Sequence, residues 1–237
     1  MTRANAEPAR LQLPAGAALI RPPTGTHPAL WLGEIRGRPV VFKDYRWCSP
    51  GMRFVGRFLV RRERAMYGLL SDTPGIAHCY GSPNPGCLAL EYIPGKSCAQ
   101  LQPGEVPEEF FGRLEALVRE LHRRGVAHCD LKHRTNIIVT PDFRPYIVDL
   151  ATALPQGPPW NLAQRHAFRR FCADDLEALV KVKLHYYTGE GRLTWGEWRR
   201  ISPPGASERA LRGIRNFLRQ AFKAAVGRRR REKGRAG

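Results

Sequence analysis

Apolar and polar positions alternate with a short period over the first third of the chain and with a helical period over much of the remainder. From Ala15 the runs AALI, ALWLGEIRG and RPVVFKDY read as β-strands, with Arg36-Gly37 as hairpin chemistry between the last two. The period then lengthens. In MRFVGRFLVRRERAMYGLL, Met52 to Leu70, the residues Phe54, Phe58, Leu59, Met66 and Leu69 fall near one helical stripe. After Thr73-Pro74-Gly75 come IAHCYG and CLALEYIPG, two more strands divided by the turn residues Ser82-Pro83-Asn84-Pro85-Gly86.

Pro107 to Arg124 is the clearest helical pattern. Proline stands at its start, Glu108 and Glu109 suit the positive end, and Arg123, Arg124 and Gly125 close it. Phe110, Leu114, Leu117, Val118 and Leu121 make its apolar stripe. VAHCDLKHRTNIIV and RPYIVDLATAL follow as two short strands about a Thr140-Pro141-Asp142 turn. Further helices are expected from Asp174 to Tyr187, on Leu176, Leu179, Val180 and Leu184, and from Glu208 to Val226, on Leu211, Ile214, Leu218 and Phe222. A β-rich half thus precedes an α-rich half, with the seam at Ile93 to Gly95, and the fold class is α+β. The divisions are a loose leader over 1–14, a first unit over 15–93, a second over 94–226 and a basic tail over 227–237.

Composition narrows the class. At 237 residues, 43% hydrophobic and 9% aromatic, the chain has the makings of a folded core and is neither a fibre nor a disordered polymer. The formal charge is +18, and half of it lies in Ser207 to Gly237, which holds eleven basic and two acidic residues. Such a surface favours anionic partners, a nucleic acid or an acidic membrane face, and the C-terminal helix and tail can supply that contact alone, or simply dock and fray. Six cysteines stand singly without a CxxC pair, which argues against zinc. No apolar run is long enough to span a bilayer or serve as a secretory core, so a reducing, cytoplasmic location is expected.

The chemistry concentrates in His128-Cys129-Asp130-Leu131-Lys132-His133-Arg134-Thr135-Asn136, followed 13 positions later by Asp149 in Tyr-Ile-Val-Asp-Leu. Two short strands joined by a turn can aim Asp130, Asn136 and Asp149 into one cleft. There Asp130 can take a proton from an attacking hydroxyl, and Asn136 and Asp149 offer hard oxygens to Mg²⁺. Any one of these residues alone is an ordinary turn or cap.

This stretch resembles the catalytic loop of the protein-kinase-like superfamily, His-x-Asp-Leu-x-x-x-Asn with a metal-binding Asp on the next strand. The resemblance implies a two-lobed protein-kinase-like fold, a β-rich N-lobe over 15–93 and a small α-rich C-lobe over 94–226, with ATP and Mg²⁺ as cofactors. It departs in two places. Asn136 is six positions after Asp130 where the family has five, and Asp149-Leu150-Ala151 stands where typical protein kinases have Asp-Phe-Gly. No Ala-Pro-Glu follows, and only 88 residues lie beyond Asp149, so the likeness is to minimal, atypical members.

Upstream, Lys43 in Val41-Phe42-Lys43 resembles the lysine that holds the α and β phosphates, and Glu63 resembles the helix glutamate that pairs with it. Alone, Lys43 reads as a solvated strand end and Glu63 as one of several surface salt bridges. Leu88 to Gly95 resembles the hinge, with backbone groups from Glu91 to Ile93 facing adenine, and Gly25 and Thr26 are the best candidates for a phosphate-facing loop in the absence of a GxGxxG. Lys132, two after Asp130, resembles the lysine that stabilises the transferred phosphate in Ser/Thr kinases. His128 resembles a structural residue beneath the loop, and Asp174 or Asp175 the aspartate that braces it. The resemblance implies a phosphotransferase whose acceptor is an anionic glycolipid, as in lipopolysaccharide-core heptose or Kdo kinases at the inner membrane face. The alternative is a protein, as in RIO-type Ser/Thr kinases. A non-catalytic kinase-like module binding anionic partners is the third reading.

Overall fold

The computed structural model describes residues 16–24 and 27–186. Gly25, Thr26, the leader, the expected helix from Glu208 to Val226 and the basic tail lie outside the described residues. Five strands form one antiparallel sheet in the order β1-β2-β3-β5-β4: β1 Ala18–Arg21, β2 Ala29–Ile35, β3 Arg38–Asp44, β4 Cys79–Asn84 and β5 Cys87–Glu91. The β2–β3 hairpin turns through Arg36 at φ 52° and Gly37 at φ 77°, a tight turn whose twist matches the flanking strands. Successive side chains of a strand point to opposite faces. Val40, Phe42, Cys87 and Ala89 therefore build a buried cluster under Trp31, Ile35 and Tyr80, while Lys43 is turned to the other face.

Across that other face lies α1, Pro50–Leu69. The expected helix is present, but its stripe is different: Met52, Gly56, Val60, Glu63, Met66 and Tyr67 are buried, whereas Phe54 is 77% and Phe58 66% exposed. Gly56 explains the choice, because a β-carbon there would collide with Tyr45, and only a glycine lets the helix lie this close. Between β4 and β5 the turn is shorter than its composition suggests. The strand runs on through Asn84, with the Ser82 hydroxyl donating to the Cys87 carbonyl at 2.6 Å and the Gly86 N–H to Asn84 Oδ1 at 3.2 Å.

After Glu91 the chain leaves this sheet. Strands β6 Lys96–Ser97, β8 Ile137–Val139 and β9 Pro145–Ile147 make a three-stranded sheet, and β7 Val126–Ala127 pairs with β10 Leu154–Pro155. Helix α2, Glu108–Arg123, buries Phe110, Phe111, Leu114, Leu117, Val118 and Leu121, each worth about 2 kcal/mol when removed from water. It ends at Gly125, φ 77°. Helix α3 spans Leu162–Tyr186, starting twelve residues before the expected Asp174. Its buried positions are Phe168, Asp175, Ala178, Leu179, Val182 and Tyr186, and Val180 of the expected stripe is 48% exposed. The N-terminal turns carry polar residues on several sides, which hides them from a periodicity argument. No described helix is long and apolar enough to cross a membrane.

Candidate active site

Lys43 and Glu63 are twenty positions apart in sequence and meet because strand alternation points one at the helix and the helical repeat points the other at the sheet. Lys43 Nζ donates to Glu63 Oε2 at 2.9 Å and Oε1 at 3.1 Å, and to Asp149 Oδ1 at 2.6 Å. Glu63 is fully buried and Lys43 nearly so, while the Asp149 side chain remains 49% exposed. Burial opposes the Lys43 charge, but the Glu63 and Asp149 carboxylates outweigh it and hold the amine protonated well above the ordinary lysine value. Burial raises the Glu63 carboxyl despite Lys43, whereas in Asp149 the effect of burial is overcome by Lys43 and the carboxyl is held below its usual range. Asp149 itself sits at φ 66°, ψ 68°, a left-handed conformation that costs energy for a residue with a β-carbon. Arg62 donates to the Ala153 carbonyl at 2.7 Å and ties α1 to the segment just after it.

The loop from His128 to Asn136 is fixed differently, mainly through backbone groups. Asp175, 2% exposed on α3, accepts the His128 N–H at 2.7 Å and the Cys129 N–H at 2.9 Å, with His122 Nε2 at 3.1 Å from its Oδ2. This decides between the two neighbouring aspartates. His128 is fully buried; its Nδ1 accepts the Asp130 N–H at 3.3 Å, so its Nε2 carries the proton and donates to the Val148 carbonyl at 3.1 Å. It is a structural strut between the loop and the residue preceding Asp149. Asn136 repeats the link: its carbonyl accepts the Val148 N–H at 3.0 Å, and its amide nitrogen donates to the Asp130 carbonyl at 3.1 Å. That bond leaves Asn136 Oδ1 without a donor among the described residues.

Asp130 presents a partly exposed carboxylate with His133 Nε2 at 3.4 Å from Oδ1. Lys132 is exposed on the same loop and makes no ion pair among the described residues. The loop ends in a short helical turn, Arg134–Asn136. Arg134 donates to the Tyr186 hydroxyl at 2.9 Å with its guanidinium 5.6 Å from the ring centre, and that hydroxyl donates to the Cys98 carbonyl. In the hinge, the Glu91 N–H is donated to His78 and the Tyr92 N–H to Pro39, while the Ile93 N–H has no acceptor among the described residues. The Glu91 carboxylate accepts the His78 N–H at 2.9 Å.

A divalent cation fits the donor set. Asp149, half-exposed, and Asn136 Oδ1 offer the hard oxygens that Mg²⁺ prefers. His122, Arg62 and Tyr186 are the supports that sequence reasoning missed, since only the folded packing of α1, α2 and α3 reveals them.

No family model and no curated protein sequence matches the chain. Solved structures do. The RIO2 kinase from Chaetomium thermophilum matches over 81% of this chain and 65% of its own, at 13% identity and TM-score 0.55. The same enzyme in an ADP/Mg²⁺-phosphoaspartate complex matches over 81% and 63%, at 13% identity and TM-score 0.54. The chain thus spans slightly under two thirds of those proteins. With its strand order and the Lys43–Glu63 pair across sheet and helix, this chain has a protein-kinase-like fold.

Proposed function

We propose that the protein is an ATP- and Mg²⁺-dependent phosphotransferase. The observation that carries this reading is the Lys43–Glu63–Asp149 ion cluster, assembled from residues 20 and 106 positions apart. A buried pair of this kind is weak evidence for stability. A fixed cation beside a half-exposed carboxylate is what a polyphosphate with its metal needs.

In this reading Lys43, oriented by Glu63, binds the α and β phosphates, and the Ile93 N–H and Glu91 backbone receive the base. Asp149 and Asn136 Oδ1 hold Mg²⁺, which when bound neutralises charge on the phosphates. Asp130 accepts the proton of the acceptor hydroxyl, and Lys132, exposed on the same loop, stabilises charge on the transferring group. The fold likeness to RIO2 kinase is in keeping with the RIO-like reading, in which the acceptor is a protein serine or threonine. The excess of positive charge, +18, supports the second reading, an anionic lipopolysaccharide-core sugar.

The test is transfer of labelled γ-phosphate by the full chain to a protein mixture and, in parallel, to a lipopolysaccharide-core preparation, with Asp130→Ala and Asp149→Ala controls. Label in protein, lost in both variants, supports the RIO-like reading, and label in glycolipid the sugar kinase. Because the RIO2 complex carries phosphoaspartate, label on the chain itself that hydroxylamine removes would identify an aspartyl phosphate. Nucleotide binding without any transfer would leave a non-catalytic module.

A further inference from the structure

Helix α1 carries two functional faces, and the inner one accounts for only part of its sequence. Its outer face sets Phe54 (77% exposed), Phe58 (66%) and Leu69 (48%) in line, with Val55 (38%) at the margin. Arg57, Arg61 and Arg64 run beside them, all exposed and without an ion-pair partner among the described residues. The helix holds five arginines and a single acid, Glu63, and that acid is buried on the inner face. Trp47, 57% exposed, precedes the helix start. A row of aromatic and aliphatic side chains flanked by cations of one sign is the pattern of a helix lying in a bilayer interface, the rings entering the acyl boundary and the guanidiniums meeting lipid phosphates.

We propose that the outer face of α1 is a docking surface for an anionic lipid bilayer. Charge complementarity selects the partner class, and the apolar row selects within it. A nucleic-acid strand would satisfy the arginines and stack on the rings but leave Leu69 and Val55 in water. The proposal is independent of which acceptor is phosphorylated. Glu63 and Arg62, which fix Lys43 and the segment after Asp149, lie on the same helix, so the bilayer would rest against the element that orders the ion cluster.

The experiment is co-sedimentation of the full chain with phosphatidylcholine vesicles, with or without phosphatidylglycerol. It uses the wild type, Phe54→Ser/Phe58→Ser and Arg57→Gln/Arg61→Gln, each checked for an unchanged thermal melt, with poly(U) RNA binding measured alongside. The expected result is partition onto the anionic vesicles only, reduced about tenfold or more by either pair of changes. Anionic partition that the phenylalanine pair leaves unchanged would overturn the proposal and assign binding to the basic tail. Equally, absence of vesicle binding, with RNA binding lost in the same variants, would overturn it in favour of a nucleic-acid surface.

Discussion

The two sides of the candidate cleft are built by different physics. Above, Lys43, Glu63 and Asp149 hold one another by direct side-chain charge pairing, the first two buried and the third half-exposed. Below, the loop carrying Asp130 is held by its own backbone: the N–H groups of His128 and Cys129 on Asp175, and the carbonyls of Asp130 and Val148 on Asn136 and His128. The first arrangement fixes charges, and its failure leaves a buried ion unpaired. The second fixes positions, and its failure leaves the chemistry present but misplaced.

Substitutions separate the two. The largest effect is expected from the two carboxylates that the proposed function assigns to the acceptor proton and to the metal: Asp130→Ala and Asp149→Ala should each lower phosphate transfer by about 10²- to 10⁴-fold, read as single-turnover rates at saturating ATP. Next is Lys43→Met, which strands the Glu63 carboxylate in a dry site and should destabilise the protein by about 3–5 kcal/mol. The sign with pH follows from burial. Without Lys43 the folded-state value of Glu63 stands above its unfolded value, so stability falls as pH rises between the two. Denaturant titrations should therefore show a larger loss at about pH 8 than at about pH 5.

A smaller effect belongs to the positional half. Asp175→Ala unpairs the buried His128 N–H and the partly buried Cys129 N–H and should cost about 3 kcal/mol, with kcat falling more than KM because Asp130 is misplaced rather than removed. Asp175→Asn keeps one acceptor and should recover part of both. The smallest is Tyr186→Phe, which frees Arg134 and the Cys98 carbonyl; a loss of about 1 kcal/mol is expected in the thermal melt, with transfer nearly unchanged.

The charge-pairing half is the more legible in sequence. Lys43 on a strand, Glu63 on the next helix and Asp149 after a hairpin follow from motif order, and the alternation of β3, with Phe42 on the apolar face, already turns Lys43 away from that face. In the positional half the sequence exposes Asp130 and Asn136, but not how they are held. Asp174 and Asp175 are equivalent until α3 is known to start at Leu162 and turn Asp175 inward. His122 and Tyr186 act across 53 and 88 positions, and no local pattern marks them. Helix α1 defeats the apolar-stripe argument for a physical reason: Gly56 and Glu63 occupy its inner face, one for closeness to Tyr45 and one for Lys43, while Phe54 and Phe58 look outward. In the Pro107 to Arg124 helix, by contrast, caps, charges and stripe agree, and all five stripe residues are buried.

The central claim is that the Lys43–Glu63–Asp149 cluster is a metal-nucleotide phosphate site, and calorimetric titration of ATP into the full chain tests it most directly. The expected result is ATP binding that requires Mg²⁺ and is weakened about tenfold or more by either Lys43→Met or Asp149→Asn, with adenosine binding little changed. ATP binding of equal strength with and without Mg²⁺, and in both variants, would contradict it.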